Sequence, residues 1–86
     1  MNYWNLTKLF IFFKLSKIQF EKTKDFNGLA KAFNGIGSMY IYLKQYENAE
    51  KYLLKHLETN IKTQNNIRIC KSYMSLANLY YEQYKD

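Results

Sequence analysis

KTKDFNGLAKAFNGIGSMY, residues 22–40, and KTQNNIRICKSYMSLANLY, residues 62–80, carry one pattern twice, forty residues apart. Aligned without a gap, Lys22, Thr23, Lys31 and Tyr40 recur as Lys62, Thr63, Lys71 and Tyr80. Leu29, Phe33, Ile36 and Met39 recur in kind as Ile69, Tyr73, Leu76 and Leu79. The small residues Ala30, Ala32 and Gly37 recur as Cys70, Ser72 and Ala77. Matched size and polarity at helical spacing says more than the few identities alone. A fixed period in this range marks stacked supersecondary units, none of which can bury its apolar face alone.

Working outward, the apolar spacing predicts four helices and no strand. The first covers about 4–22, with Thr7, Lys14, Lys17, Glu21 and Lys24 as a polar stripe and an aromatic face toward the next pair. Lys22-Thr-Lys-Asp25 breaks the chain, and Asp25 is placed to cap the second helix, about 26–42. There Leu29, Phe33, Ile36 and Tyr40 share one face. A turn at Lys44-Gln45 leads to the third, about 46–62, with Ala49, Tyr52, Leu53, Leu57 and Ile61 inward. Asn65-Asn66 precedes the fourth, about 67–84, with Ile69, Tyr73, Leu76 and Tyr80 inward.

The residues inside the unit resemble a tetratricopeptide (TPR) repeat. Phe33, Ile36, Gly37, Tyr40, Tyr46, Ala49 and Leu53 follow that family's order and spacing, and Tyr73, Leu76, Ala77 and Tyr80 begin a second copy. The common unit is about 34 residues. A unit of forty resembles the longer variety found in Pins-type spindle-orientation scaffolds, kinesin-light-chain-like proteins and bacterial peptide-sensing regulators. Tyr52-Leu-Leu-Lys-His-Leu-Glu58 and Ser75-Leu-Ala-Asn-Leu-Tyr80 look most like the scaffold group. Lys44 departs from the usual turn glycine, no proline closes the unit, and His56 stands where a small residue is common. The resemblance implies an all-α fold, antiparallel helix pairs of a TPR-like α-solenoid. It divides the chain into a B-type helix in 1–25, one full repeat in 26–65 and an A-type helix in 66–86. That is one repeat and two halves, expected either as part of a longer array or as a small protein that self-associates through its terminal helices. Gly37 falls where helices A and B touch; Gly28 and Gly35 have no such packing role in this reading. Each should weaken its helix by up to about 1 kcal/mol.

In such a fold the inner surface is built from A helices. By position it would carry Lys31, Asn34, Ser38 and Tyr42 from the first, and Lys71, Met74, Asn78 and Tyr81 from the second. The two lysines put ammonium groups on one wall, and Asn78 can both donate to and accept from a peptide backbone. The resemblance therefore implies a non-catalytic interaction scaffold with a groove for a partner peptide or helix, the lysines favouring an acidic or carboxylate-bearing one. A bacterial-type peptide sensor and a basic accessory segment on RNA or an anionic membrane are the alternatives.

Composition bounds these readings. The 86 residues are 48% hydrophobic and 19% aromatic, with no proline and three glycines, which suits a small helical domain. The lone Cys70 cannot form an internal disulfide. That points to a reducing, cytoplasmic compartment. Cys70 copies Ala30 and is expected to be buried. With His56 it falls short of a four-ligand zinc site, and no catalytic constellation or cofactor is read. Asn34-Gly-Ile-Gly37 is no dinucleotide fingerprint, for it lacks a preceding strand and a third glycine. Leu9-Phe-Ile-Phe-Phe13 is too short for a membrane span of about 20 residues, and no small-residue cleavage site follows before Glu21. The net charge is +6, with +4 in residues 1–31. That skew raises nucleic acid or an anionic membrane surface as partners. Twelve of the thirteen basic residues are lysines, Arg68 being the exception, and the aromatics sit at core spacing. Both facts speak against a nucleic-acid reader.

Overall fold

The computed structural model describes residues 3–86; the first two residues of the 1–25 segment lie outside that range. Four helices follow in order: α1 (Tyr3–Thr23), α2 (Phe26–Tyr42), α3 (Tyr46–Lys62) and α4 (Asn66–Lys85). The fold is all-α, with no strand among the described residues. The bounds of α2 and α3 coincide with those read from the sequence, and α1 and α4 are each a residue longer at both ends.

The three connections are built alike. Lys24, Lys44 and Gln64 each take a left-handed backbone, with φ of 57, 60 and 57°. They stand twenty residues apart, half the spacing of the sequence pattern. After each helix the N–H of the left-handed residue bonds back three residues, and the next N–H bonds back five. Lys24 N donates to Glu21 O and Asp25 N to Phe20 O; Lys44 N and Gln45 N donate to Ile41 O and Tyr40 O; Gln64 N and Asn65 N donate to Ile61 O and Asn60 O. This is the Schellman closure, here with Lys or Gln in the place usually taken by glycine. The residue that closes one helix starts the next. Asp25 Oδ1 accepts from Gly28 N at 3.0 Å and Asn65 Oδ1 from Arg68 N at 3.1 Å. Gln45 makes no side-chain cap.

With such short turns, sequential helices run antiparallel, and α2 and α4 are parallel. α2 packs on both α1 and α3, α3 on both α2 and α4, and α2 touches α4 along one edge. The edge contacts keep a constant offset: Arg68 Nη1 donates to Asn27 O at 3.2 Å, and Ser75 Oγ to Asn34 Oδ1 at 3.1 Å. The two outer junctions correspond under a forty-residue shift. Phe10 meets Tyr40 edge-on at 5.0 Å where Glu50 accepts from Tyr80. Phe20 lies against Gly28 where Asn60 reaches the Arg68 carbonyl.

The core is centred on Ala49, Leu53, Leu76 and Leu79, and Leu29, Phe33 and Ile36 are buried on α2. Gly37 takes the close-approach role expected of it: a methyl there would lie 2.6 Å from Leu53 Cδ2. The expectation that Gly28 and Gly35 lack a packing role is overturned. A methyl at Gly28 would stand 2.4 Å from the Phe20 ring, and one at Gly35 2.4 Å from the Phe13 ring. Both pairs are seven residues apart on their own helices, so two rings of α1 rest on two bare patches of α2. The cost in helix propensity is offset by seating large aromatics.

Three burial expectations also fail. Tyr73 and Tyr80 are exposed, at 57% and 46%, and α4 instead buries Ser72, Leu76 and Leu79. Ile61 is half exposed on α3, whose buried stripe runs through His56 and Asn60. Cys70 is exposed although its copy Ala30 is buried. The failures on α4 have one cause: that helix has a neighbour on only one of the two faces that α2 has covered. α1 is likewise half covered. Leu6 is buried and Phe10 and Phe13 are part-buried, while Trp4 and Phe12 are each 65% exposed.

Candidate functional site

The edge where α2 and α4 run side by side leaves a cleft of about 330 Å³ above α3. Its walls are Ala30, Lys31 and Asn34 of α2 and Arg68 and Lys71 of α4; its floor is His56 and Asn60 of α3. The helical period puts Lys31 and Asn34 on one face of α2, and Arg68 and Lys71 on the matching face of α4, because three residues make almost one turn.

The floor is a buried polar network. Asn60 Nδ2 donates to Ser72 Oγ at 2.8 Å and to Arg68 O at 3.3 Å. The Ser72 hydroxyl donates to Arg68 O at 3.1 Å, and His56 Nδ1 lies 3.2 Å from Ser72 Oγ. With the hydroxyl proton committed to a carbonyl, Ser72 Oγ can only accept from the ring, which assigns the imidazole proton to Nδ1. Burial, and secondarily the Arg68 charge, lowers the His56 pKa from its ordinary value, favouring the neutral ring. Asn60 Oδ1 is buried with no hydrogen-bond partner among the described residues, a cost of about 1–3 kcal/mol.

Around this neutral floor stand three cations, Lys31, Arg68 and Lys71, and no acidic residue is among the lining residues. Arg68 is held by its bond to Asn27 O, whereas both lysines are exposed. The arrangement can attract and orient an anion. Among the described residues no group of three His, Cys, Asp or Glu is placed to hold a metal ion. A second cleft, about 260 Å³, lies between α2 and α3 and is lined by Phe26, Leu29, Phe33, Lys55, Glu58, Thr59 and Lys62. Its lysines stack on rings, with Lys62 Nζ 5.0 Å from the Phe26 centroid, and Glu58 offsets their charge.

Of the residues picked from the sequence, Lys31, Asn34 and Lys71 come together in the α2–α4 cleft. Ser38, Tyr42, Met74, Asn78 and Tyr81 are exposed on the same two helices but do not line it. His56, Asn60 and Arg68 were missed. A signal for two of them was available: His56 and Asn60 continue the apolar series Ala49, Leu53 at helical spacing, and polar residues on a core stripe need partners.

No family model matches this chain, and comparison with curated proteins and with solved structures finds no match. No helix among the described residues is long and apolar enough to cross a membrane.

Proposed function

We propose that this chain is a non-catalytic, TPR-like interaction scaffold that holds an acidic peptide in the α2–α4 cleft. The observation that carries the reading is the grouping of Lys31, Arg68 and Lys71 around a cleft whose lining includes no acid. The forty-residue correspondence of the two outer helix junctions supports the solenoid-like part of the reading. A carboxylate set between the lysines would gain charge-assisted hydrogen bonds. The bound segment would lie along the parallel α2 and α4, where Asn78 is exposed further along the same wall.

The test is fluorescence anisotropy with a labelled Asp/Glu-rich peptide and its Asn/Gln counterpart. The acidic peptide should bind and the neutral one should not. Lys31→Glu with Lys71→Glu should weaken binding by about 1–3 kcal/mol. Lys14→Glu with Lys17→Glu makes the same change in net charge on α1 and should have a smaller effect. Equal losses would assign the affinity to overall charge, and the cleft would then not be the site.

A further inference from the structure

We propose that the open face of α4 docks α1 of a second copy of this chain, head to tail, so that α1 covers α4 as α3 covers α2. The register follows from the α2–α3 interface within one chain. There Gly37 lies under Leu53 and Ala49, and Tyr52 sits between Phe33 and Tyr40, with ring centroids 6.2 and 5.7 Å away. A shift of forty residues forward turns the α2 side into Tyr73, Ala77 and Tyr80, and all three are exposed. The same shift backward turns the α3 side into Leu9, Phe12 and Phe13 of α1. Phe12 is 65% exposed and Leu9 is partly so. Phe12 of the second copy would therefore enter between Tyr73 and Tyr80.

Two observations favour a second copy as the occupant. The first is that the forty-residue shift already relates real interfaces: α1 packs on α2 as α3 packs on α4, so α1 is built to the geometry of α3. The second is that Leu9 and Phe12, the α1 counterparts of Ala49 and Tyr52, are apolar and exposed, whereas α2 covers that pair on α3. α2 covers only the side bearing Leu6, Phe10, Phe13 and Phe20.

Such an interface joins two different surfaces and does not close on itself, so copies can add at either end. Each junction would set Lys71 of one copy beside Lys31 of the next, as those residues stand within one copy. The basic cleft would thus continue along the assembly.

Sedimentation velocity of the full chain over a concentration series tests this. Wild type should form species that grow beyond the dimer. Phe12→Glu blocks the α1 face and Ala77→Arg the α4 face; circular dichroism checks that each stays helical, with Leu9→Glu and Tyr73→Lys as replacements for a variant that does not. Each variant alone should associate at least tenfold more weakly. An equal mixture should form a 1:1 dimer that grows no further, because one intact α1 face meets one intact α4 face. The proposal is overturned if either variant alone self-associates as wild type does, which means like faces pair. It is overturned equally if the mixture stays monomeric. A wild type that remains monomeric, whether or not it co-sediments with phosphatidylserine vesicles, also overturns it.

Discussion

α2 and α4 carry the same nineteen-residue pattern, but α2 lies between two helices, whereas α4 packs on α3 and touches α2 only along one edge. Phe33 is 6% exposed and its copy Tyr73 57%. Gly37 is buried and Ala77 exposed; Ala30 is buried and Cys70 exposed. By contrast Ile36 and its copy Leu76 are both buried. Equal local sequence thus yields equal helices and equal packing on the side that has a neighbour. The other side is set entirely by what stands next to it.

The sharpest way to break this comparison is to truncate the paired aromatics. Phe33→Ala should cost about 3–5 kcal/mol as a core deletion, and Tyr73→Ala under about 1 kcal/mol at concentrations where the chain is monomeric. Urea denaturation measures both, and equal losses would mean that α4 is covered on both sides in solution. Next in size is the paired small site. Gly37→Leu forces a side chain into Leu53 and should cost about 1–3 kcal/mol, while Ala77→Leu should stay within about 0.5 kcal/mol. Thermal melts of the two variants compare them directly.

The caps should behave alike in both copies. Asp25→Ala and Asn65→Ala should each cost about 0.5–2 kcal/mol, since each removes one side-chain bond to an otherwise unpaired helix N–H. Gln45→Ala should cost less, because Gln45 makes no such bond. A smaller change lies in the turns. Lys44→Gly relieves a left-handed non-glycine residue and should raise stability by up to about 1 kcal/mol, and Lys24→Gly should do the same.

The weakest effect separates the two outer junctions by pH. His56 and Ser72 at the α3–α4 junction correspond to Ser16 and Ala32 at the α1–α2 junction, so only the former carries an imidazole. Its folded pKa is lowered, so the unfolded chain binds the proton more readily. The stabilisation is present above the unfolded value of about 6.5 and is lost as the pH falls from there through the lowered folded value. His56→Gln should flatten that part of the melting-midpoint profile. An unchanged slope would mean that the ring is not held neutral in the fold.

The helices and their ends were legible because they depend on neighbours in sequence. Apolar spacing marked α2 and α3 to the residue, and Asp25 announced its cap, whereas Asn65 was read only as part of the break before α4. The contact at Gly37 was legible through the repeat. The seats of Phe13 and Phe20 on Gly35 and Gly28 were not, since a glycine in a helix does not say which ring rests on it. The cleft was half legible. Lys31 and Lys71 stood out as a repeated pair, whereas Arg68 has no basic counterpart, Gly28 holding its place in the first copy. His56 and Asn60 were passed over because their partner Ser72 lies on the next helix.

By itself, then, the sequence determined four helices, their turns and the forty-residue correspondence, all of which follow from hydrogen bonds and apolar periodicity within a few residues. Only the tertiary structure decided which copy of each face is covered, which glycines seat rings, and that a buried His–Ser–Asn floor lies beneath three cations. The physical reason is that burial and electrostatic grouping belong to pairs of helices. Leu53 excludes a side chain at Gly37, and nothing among the described residues covers Ala77 in the same way.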